Sequence, residues 1–522
     1  MIKVLDCTLR DGGYVNNWKF GYENIKTILE NLGQSKVDII ECGYLTQGEC
    51  DYNSTMFGSV SQIDELLNNK ETANYVCMIN YGDYDVKNLP LAKDSKLTGV
   101  RLAFHKKDWK KAIEDIRIIK EKGYEAYVQP MVSMGYDDSE FMELISASNK
   151  INADVFYIVD SFGVMKKSDL MRLFYLTNHN LNKNIKLGYH SHNNLQLAYS
   201  NAQTITNSSG QRDIIIDMSI MGMGRGAGNL NTELFLEYLN ENHNGQYNIF
   251  PILQAIDGVV NKEYQLNGWG YSLPHYLSAT KNCHPNYATF LEEKNTLTVV
   301  EMDKILELIP EEKRLSFDKA YVQKRYEEYQ SHKISDTAAL ENLKKQLQSK
   351  DVLLVAPGGS IIDESHRILD FIEKEHPIVI SVNFQPHIVK SDYVFYGNIR
   401  RYKDGKHNDC KEIITSNIED TYKSAEYVVN YSNLLNNYPT ISDNSAMMLI
   451  ELLIQVGVRN IYLAGLDGYS NDVAVDYAEK DLALVTKNDL LKCMNEEMTK
   501  KLREFGNYTN LHFVTEERKI KL

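Results

Sequence analysis

The chain has 522 residues, of which 43% are hydrophobic and 25% are charged, and its formal net charge is −14. A chain of this length is expected to form two or three domains, and the composition is typical of a soluble globular protein. The acidic balance argues against a nucleic-acid partner or an anionic membrane, since both are recruited by basic surfaces.

The N-terminus enters a strand directly at Met1-Ile2-Lys3 and shows no signal-peptide pattern. No apolar run in the sequence approaches the roughly 20 residues that span a bilayer. The seven cysteines include no CxxC pair, which favours free thiols in a reducing compartment. We therefore expect a cytoplasmic protein.

Strands and helices alternate from residue 2 to about residue 241. Eight strands are expected, near residues 2–9, 37–44, 74–82, 97–104, 124–133, 153–160, 185–192 and 214–221. This repeat predicts an α/β fold, an N-terminal (β/α)₈ TIM barrel. A doubly wound open sheet is the alternative. The barrel is favoured because polar residues collect at the C-terminal ends of many strands and not at one crevice.

Residues 250 to about 345 are helical in pattern and charged, and the polar stretch Lys333–Lys350 is interpreted as a linker. A second α/β pattern follows, with strands expected near residues 352–356, 378–382, 393–396, 426–430 and 460–465. The predicted domains are a barrel at 1–245, a helical extension and linker at 246–345, and a Rossmann-like doubly wound domain at 346–522.

A candidate metal site is formed by Asp11, after the first strand, with His190 and His192, at the end of the seventh. Alternate strand residues share a face, so the two imidazoles can point at one ion. Two nitrogen ligands and a carboxylate suit a divalent cation, Mn²⁺ or Mg²⁺ first, with Co²⁺ and Zn²⁺ as alternatives. Asn229 is either a fourth ligand or a loop asparagine with positive φ.

Arg10 is the candidate group for stabilising an oxyanion beside the metal, and a structural salt bridge to Glu41 is the alternative. Arg10 and Asp11 can serve one site only if the strand breaks, and Gly12-Gly13 is expected to allow that break. Polar residues at other strand ends are candidate substrate ligands, namely Arg101, Gln129 and Ser161. Candidates for the general base are Tyr14, His105, His275 and Tyr276.

Four segments together resemble the DRE-TIM metallolyase (HMG-CoA lyase-like) family over residues 2 to about 290, and within it the 4-hydroxy-2-oxovalerate aldolases. These segments are Asp6-Cys7-Thr8-Leu9-Arg10-Asp11-Gly12, Ile40-Glu41-Cys42-Gly43, His190-Ser191-His192-Asn193 and Gly228-Asn229. The resemblance implies that Asp11 and the two histidines hold the metal, with Asn229 as an outer or direct ligand, and that Arg10 stabilises a pyruvate-type enolate.

The resemblance leaves the general base open. The family's aldolases place a histidine three residues after the metal-binding aspartate, where this chain has Tyr14. They also use a tyrosine from the helices that follow the barrel, and Tyr276 is an approximate match.

The C-terminal part resembles bacterial sialyltransferases and related Rossmann-like domains of surface-glycan loci. The resemblance rests on three stretches: Val355-Ala356-Pro357-Gly358-Gly359-Ser360, Ser381-Val382-Asn383 and Ile461-Tyr462-Leu463-Ala464-Gly465-Leu466-Asp467. It implies a nucleotide or nucleotide-sugar site at Gly358, Gly359, Ser360, Asn383 and Asp467. The glycine turn lacks GxGxxG spacing and a Walker lysine, and a structural or dimerising domain is the alternative.

The sequence thus predicts a metal-dependent aldolase that makes or cleaves a 4-hydroxy-2-oxo acid through a pyruvate enolate. A 2-oxo acid and an aldehyde are its expected substrates, surface-polysaccharide synthesis is its expected setting, and a homo-oligomer is expected. Two alternatives remain: an acyl-CoA-using lyase or synthase with the same metal site, and a non-catalytic nucleotide-sugar-binding or scaffold protein.

Overall fold

A computed structural model describes residues 1–48, 51–67, 73–208, 210, 212–405, 410–418, 425–472, 476–484, 486 and 488–522. The chain divides into two compact units. The first comprises Met1–Ala288 and Ile309–Phe317, and the second comprises Thr289–Leu308 and Asp318–Leu522. Among the helices of the described residues, none combines the length and the apolar character needed to cross a membrane.

The first unit is built on a closed parallel barrel. Its strands are β1 (Ile2–Asp6), β2 (Ile39–Leu45), β3 (Met56–Phe57), β4 (Asn74–Asn80), β5 (Gly99–Phe104), β6 (Glu125–Pro130), β7 (Val155–Asp160), β8 (Lys186–Ser191) and β9 (Ile214–Met218). β1 pairs in parallel with both β2 and β9, which closes the ring of eight strands, and the two-residue β3 extends beyond β2. Closure confirms the barrel and is incompatible with an open sheet.

Helices surround this barrel because their apolar residues recur on one face. In Trp109–Glu121, for example, Ala112, Ile113, Ile116 and Ile119 are buried, as in an amphipathic helix that packs on a sheet. The helices of at least four residues that begin in the first unit are Thr8–Asp11, Gly13–Asn16, Tyr22–Gln34, Val60–Leu66, Trp109–Glu121, Asp138–Lys150, Lys167–Asn180, Ala198–Ser208, Thr232–Asn242, Phe250–Ala255, the π-helix Ile256–Val260, Asn261–Asn267, Leu273–Thr280, Pro285–Glu293 and Glu311–Arg314.

The second unit contains a seven-stranded parallel sheet. Its strands are β10 (Val352–Val355), β11 (Ile378–Val382), β12 (Tyr393–Tyr396), β13 (Lys411–Thr415), β14 (Tyr427–Val429), β15 (Asn460–Ala464) and β16 (Asn510–Phe513). The order is β14-β13-β12-β11-β10-β15-β16, so the direction of winding reverses between β10 and β15. The α/β class expected for this part is confirmed, whereas β13 and β16 are not among the expected strands.

The helices of the second unit are Val299–Glu307, Lys319–Gln330, Thr337–Leu347, Ser360–Asp363, Ser365–Glu375, Ile399–Asp404, Ser445–Gln455 and Asn488–Phe505. Thr337–Leu347 lies in the stretch interpreted as a linker without a core face. That interpretation of its surface is wrong, because Leu343 and Leu347 are fully buried in the hydrophobic core of the second unit.

Gly188 in β8 provides a test of packing inside the barrel. A Cβ at this position would lie 2.3 Å from the ring of Tyr157, and that ring is fixed by its hydroxyl, which donates to Asp217 at 2.8 Å. Gly188→Ala should therefore lower the free energy of unfolding by about 1–3 kcal/mol, measured by urea denaturation.

The matched control is Gly33→Ala, since Gly33 lies in the helix Tyr22–Gln34 and a methyl group added there would meet open space. This change should leave stability unchanged or raise it by about 0.5–1 kcal/mol, because alanine favours the helix. Equal stability of the two variants would contradict the tight packing assigned to Gly188.

Candidate active site

Asp11, His190 and His192 come together at the C-terminal end of the barrel. One ligand atom from each lies within 4.8 Å of the others, and all three side chains are buried. β8 brings the two histidines to one face, because residues 190 and 192 are two positions apart. Asp11 reaches them because β1 is separated from β8 only by β9.

The chain leaves β1 earlier than the sequence suggested. The strand ends at Asp6, and Thr8–Asp11 forms a helical turn, so Arg10 and Asp11 are no longer on opposite faces of a strand. Gly12 has an ordinary helical φ of −59°, so positive φ is not the reason for glycine here. Gly13 is required for close approach, since a Cβ there would lie 2.0 Å from the ring of Trp18.

A carboxylate orients one of the histidines. His190 Nδ1 lies 3.1 Å from Asp217 Oδ2, a contact in which Nδ1–H donates and Nε2 is left to face the cluster as a ligand. Asp217 was missed in the sequence. The signal was a lone carboxylate in an otherwise apolar strand, Ile214–Met218.

The protonation states of the cluster suit a cation. Burial would raise the pKa of Asp11, but the Arg10 guanidinium, helped by the hydrogen bond from the Asn229 amide, outweighs burial and holds that pKa below its ordinary value. Burial lowers the pKa of His192 to about 3, and the nearby Arg225 acts in the same direction. Both groups are therefore unprotonated at neutral pH, as metal ligands must be.

Two buried polar atoms at this cluster have no hydrogen-bond partner in the described residues, namely His192 Nδ1 and Asn229 Oδ1. The amide nitrogen of Asn229 donates to Asp11 Oδ2 at 2.6 Å, which holds the side chain against the cluster. Buried polar groups are rarely left unsatisfied in a native protein. A divalent ion at this position would supply the missing partners, so the residues fit a metal centre.

Arg10 is held firmly beside the cluster. Its Nε donates to Glu41 Oε2 at 2.8 Å, and its Nη1 donates to Asp11 Oδ1 at 2.5 Å. Its backbone carbonyl accepts from the indole of Trp18 at 2.8 Å. The salt bridge to Glu41 thus exists, and it leaves Nη2 outside these two ion pairs.

Arg101 and Gln129 lie in the barrel interior, with exposures of 0% and 2%. Arg101 forms ion pairs with Glu41, at 2.9 Å, and with Asp217. With its amide oxygen facing Arg101, Gln129 accepts from Nε at 3.0 Å. Arg101 thus binds the carboxylates that orient Arg10 and His190, and Gln129 binds Arg101. Contact of these two residues with substrate stays a prediction.

Ser161 and Tyr14 lie on a cleft at the barrel mouth, which also contains His105. Ser161 Oγ accepts from the N–H of Val132 at 2.9 Å. The hydroxyl of Tyr14 lies 3.3 Å from that of Tyr44. These positions allow contact with a molecule bound at the mouth of the barrel.

Tyr276 and His275 belong to the helix Leu273–Thr280. The Tyr276 ring packs edge-on against Tyr271, with ring centroids 6.4 Å apart. His275 Nδ1 lies 2.9 Å from Ser272 Oγ, at the start of its own helix. Among the described residues, neither side chain contacts the metal cluster.

The glycine turn after β10 is closed by the protein itself. Ser360 donates through its N–H to Asp467 Oδ2 at 2.8 Å and through its hydroxyl to Asp467 Oδ1 at 2.5 Å. The N–H groups of Gly358 and Gly359 donate to backbone carbonyls at 2.9 and 3.1 Å. These N–H groups are therefore already paired within the protein, and Gly358, Asn383 and Asp467 line a cleft. The nucleotide site expected at these residues stays a prediction.

Comparison with known proteins agrees with this barrel. Residues 1–257 match the HMGL-like family model. The chain is 27% identical over 264 residues to 4-hydroxy-2-oxovalerate aldolase from Geobacillus genomosp. 3, covering 50% of this chain and 77% of that protein. It is 26% identical over 262 residues to the 4-hydroxy-2-oxovalerate aldolase of Thermomicrobium roseum, covering 49% and 72%. The solved N-terminal domain of a proposed aldolase from Bacteroides vulgatus is 28% identical, with a TM-score of 0.48, covering 56% of this chain and 96% of that one.

The barrel and its family match place the N-terminal half of the chain among enzymes of the aldolase and lyase type. Residues 1–257 form an HMGL-like domain.

Added Mn²⁺ should raise the melting temperature of the protein, and EDTA should remove the increase. An ion that binds only the folded state stabilises it by mass action, by about 2.7 kcal/mol at a hundredfold excess over Kd. His192→Ala should abolish the increase, whereas His179→Ala, which removes an exposed histidine of the same unit, should retain it. Equal increases in both variants would place the ion elsewhere.

Proposed function

We propose that the barrel is a divalent-metal-dependent aldolase that makes or cleaves a 4-hydroxy-2-oxo acid, with a pyruvate enolate as the nucleophile. The observation that carries this proposal is the buried convergence of Asp11, His190 and His192 beside the fixed guanidinium of Arg10. Membership of the HMGL-like family and similarity to 4-hydroxy-2-oxovalerate aldolases support it.

Asp11, His190 and His192 would hold the ion, Mn²⁺ or Mg²⁺ in preference to Co²⁺ or Zn²⁺, with Asn229 contributing its buried amide oxygen. When bound, a divalent ion supplies Lewis-acid polarisation of the 2-oxo acid. Arg10 stabilises the negative charge that develops on the oxygen of the enolate, because its guanidinium is already oriented by two carboxylates and needs little reorganisation.

Tyr14 is the proton carrier that the arrangement favours. Its hydroxyl lies 3.3 Å from that of Tyr44, and burial raises the pKa of Tyr44 well above its ordinary value. Tyr44 therefore stays protonated. Its hydroxyl can donate a hydrogen bond to the oxygen of Tyr14 once Tyr14 has given its own proton away. Tyr276, on a helix without contacts to the cluster, is the weaker candidate for this role.

For the second unit we propose a Rossmann-like nucleotide or nucleotide-sugar site. Ligands of doubly wound sheets bind where the winding reverses, at the carboxyl ends of the strands. Here the reversal falls between β10 and β15, and a cleft lined by Gly358, Asn383 and Asp467 lies at that edge. Calorimetric titration with nucleoside diphosphates at millimolar concentration tests this part, and an absence of heat would contradict it.

We also propose domain boundaries at 245 and 345, a cytoplasmic location, a homo-oligomeric state and a setting in surface-polysaccharide synthesis. Size-exclusion chromatography with light scattering tests the oligomeric state.

The aldolase proposal is tested by proton exchange. The methyl protons of pyruvate should exchange with D₂O in the presence of the protein and Mn²⁺, followed by NMR, and EDTA should stop the exchange. An acyl-CoA-using enzyme or a non-catalytic scaffold should leave the methyl protons of free pyruvate in place.

Arg10→Lys should lower the rate of this exchange by roughly 10² or more, as for the loss of an oxyanion donor, while the Mn²⁺-dependent increase in melting temperature persists. Lysine keeps the charge but loses the planar donor group that spans Glu41 and Asp11. Arg117→Lys, on an exposed helical face, is the control and should exchange at the wild-type rate. An unchanged rate in Arg10→Lys would remove Arg10 from the mechanism.

A further inference from the structure

A guanidinium at the barrel mouth has no role in the chemistry described so far. Arg225 lies in the loop that follows β9, in the run Gly222-Met223-Gly224-Arg225-Gly226-Ala227-Gly228. The loop is pressed against the metal cluster, since a Cβ on Gly224 would lie 2.7 Å from Asp11 Oδ2. The backbone of Arg225 therefore lies at the edge of the metal cluster.

The charge of Arg225 is not neutralised by a carboxylate. Its Nη2 donates to the carbonyl oxygen of Ser161 at 2.9 Å, and its guanidinium lies 5.5 Å from the centre of the Tyr14 ring. Within the part of the chain that the structure describes, no aspartate or glutamate forms an ion pair with it at 4.0 Å or less. A guanidinium has five N–H donors, so most of them are available to a ligand.

Two histidines share the cleft with Arg225, and one of them is a ready hydrogen-bond donor. Burial and the charge of Arg225 lower the pKa of His284 to about 3, so its ring is neutral at physiological pH. Its Nδ1 accepts from the N–H of Asn286 at 3.2 Å, which leaves the proton on Nε2. His105 lies on the same cleft.

The cleft also contains two carboxylates, Asp83 and Asp108. Asp83 accepts from the amide of Asn80 at 3.1 Å. Carboxylates repel an anion but accept from hydroxyl groups. An anionic group in this cleft is therefore directed to the end that carries Arg225.

We propose that the aldehyde partner of the enolate bears an anionic group, a carboxylate or a phosphate, which Arg225 binds at the barrel mouth. Tyr14, which packs against Arg225, lies 3.3 Å from the hydroxyl of Tyr44, and the Arg10 guanidinium lies 5.8 Å from the centre of the Tyr44 ring. The inference rests on the proposed aldolase reaction and names the class of its second substrate. Arg225 is a specificity residue in this assignment, and it takes no part in forming the enolate.

The test compares charged and uncharged aldehydes of matched size, with pyruvate and the Mn²⁺-loaded full chain. Succinic semialdehyde is paired with butanal, and glyceraldehyde 3-phosphate with glyceraldehyde. At least one charged aldehyde should exceed its neutral match in kcat/KM by about 10- to 100-fold, the range of a hydrogen-bonded ion pair. The pair with the larger ratio identifies carboxylate or phosphate as the group bound.

Arg225→Gln should reduce that ratio to near one, and Arg225→Lys should restore part of it. A purely structural role would lower kcat/KM for both members of a pair by the same factor and leave the ratio intact. Lys107→Gln removes an exposed positive charge close to His105 and should keep the wild-type ratio, which separates a specific contact from the general field.

The outcomes are distinct for the two proposals. If wild-type protein fails to exchange pyruvate protons, the aldolase function is wrong. If exchange occurs but charged and neutral aldehydes react equally in the wild type, or if the ratio survives in Arg225→Gln, the aldolase stands and the role of Arg225 is wrong.

Discussion

The ion pairs of Arg101 in the centre of the barrel are the interaction on which the site depends. Its side chain has no exposed surface and lies between Glu41 on β2 and Asp217 on β9. Glu41 in turn binds Arg10, and Asp217 binds His190. One guanidinium therefore fixes both Arg10, the group proposed to stabilise an enolate, and an imidazole of the metal cluster.

Such a network is costly to bury, and its value lies in geometry more than in stability. Burying charges is unfavourable unless each one is paired, and a buried ion pair often gives no net gain over apolar packing. Loss of one partner leaves a carboxylate unpaired at a cost of about 3–5 kcal/mol. The barrel thus tolerates charges at its centre because each charged side chain is paired with another. The same pairing holds Arg10 and His190 in place.

The balance of charge within the network favours a cation at its end. The buried side chains that these ion pairs join are two arginines and three carboxylates, namely Arg10, Arg101, Asp11, Glu41 and Asp217. The carboxylates exceed the arginines by one, and the neutral ring of His192 adds no positive charge. Asp11 and Asp217 are the two ends of this chain of ion pairs, and two nitrogen ligands converge beside Asp11. A divalent ion at this point compensates the network and leaves positive charge for an anionic substrate.

The sequence predicted the eight barrel strands and the three residues of the metal cluster, because both follow from local periodicity and from residues at strand ends. It placed Arg101 at a strand end, although the expected strand at 97–104 and β5 both end at residue 104. The pattern does not show how deep a residue lies within the lumen. Arg101 is the third residue of β5, so its side chain enters the lumen and not the mouth. The sequence also did not show that Asp467 closes the glycine turn, because 107 residues separate Ser360 from Asp467.

The loop after β9 shows how one barrel separates its chemistry from its choice of substrate. Gly224 and Gly226 have no side chains to displace Asn229 and Asn194, which lie against them, so the loop can close on the metal cluster. Arg225, between these glycines, is then the charged side chain that the loop presents to the cleft. The interior network of ion pairs makes no contact with Arg225 among the described residues, although the charge of Arg225 lowers the pKa of His192. In the proposed mechanism, a change at this position therefore alters the choice of substrate more than the orientation of Arg10 and His190. In the proposed mechanism, selectivity therefore resides in a loop residue, and reactivity resides in the charges that the strands enclose.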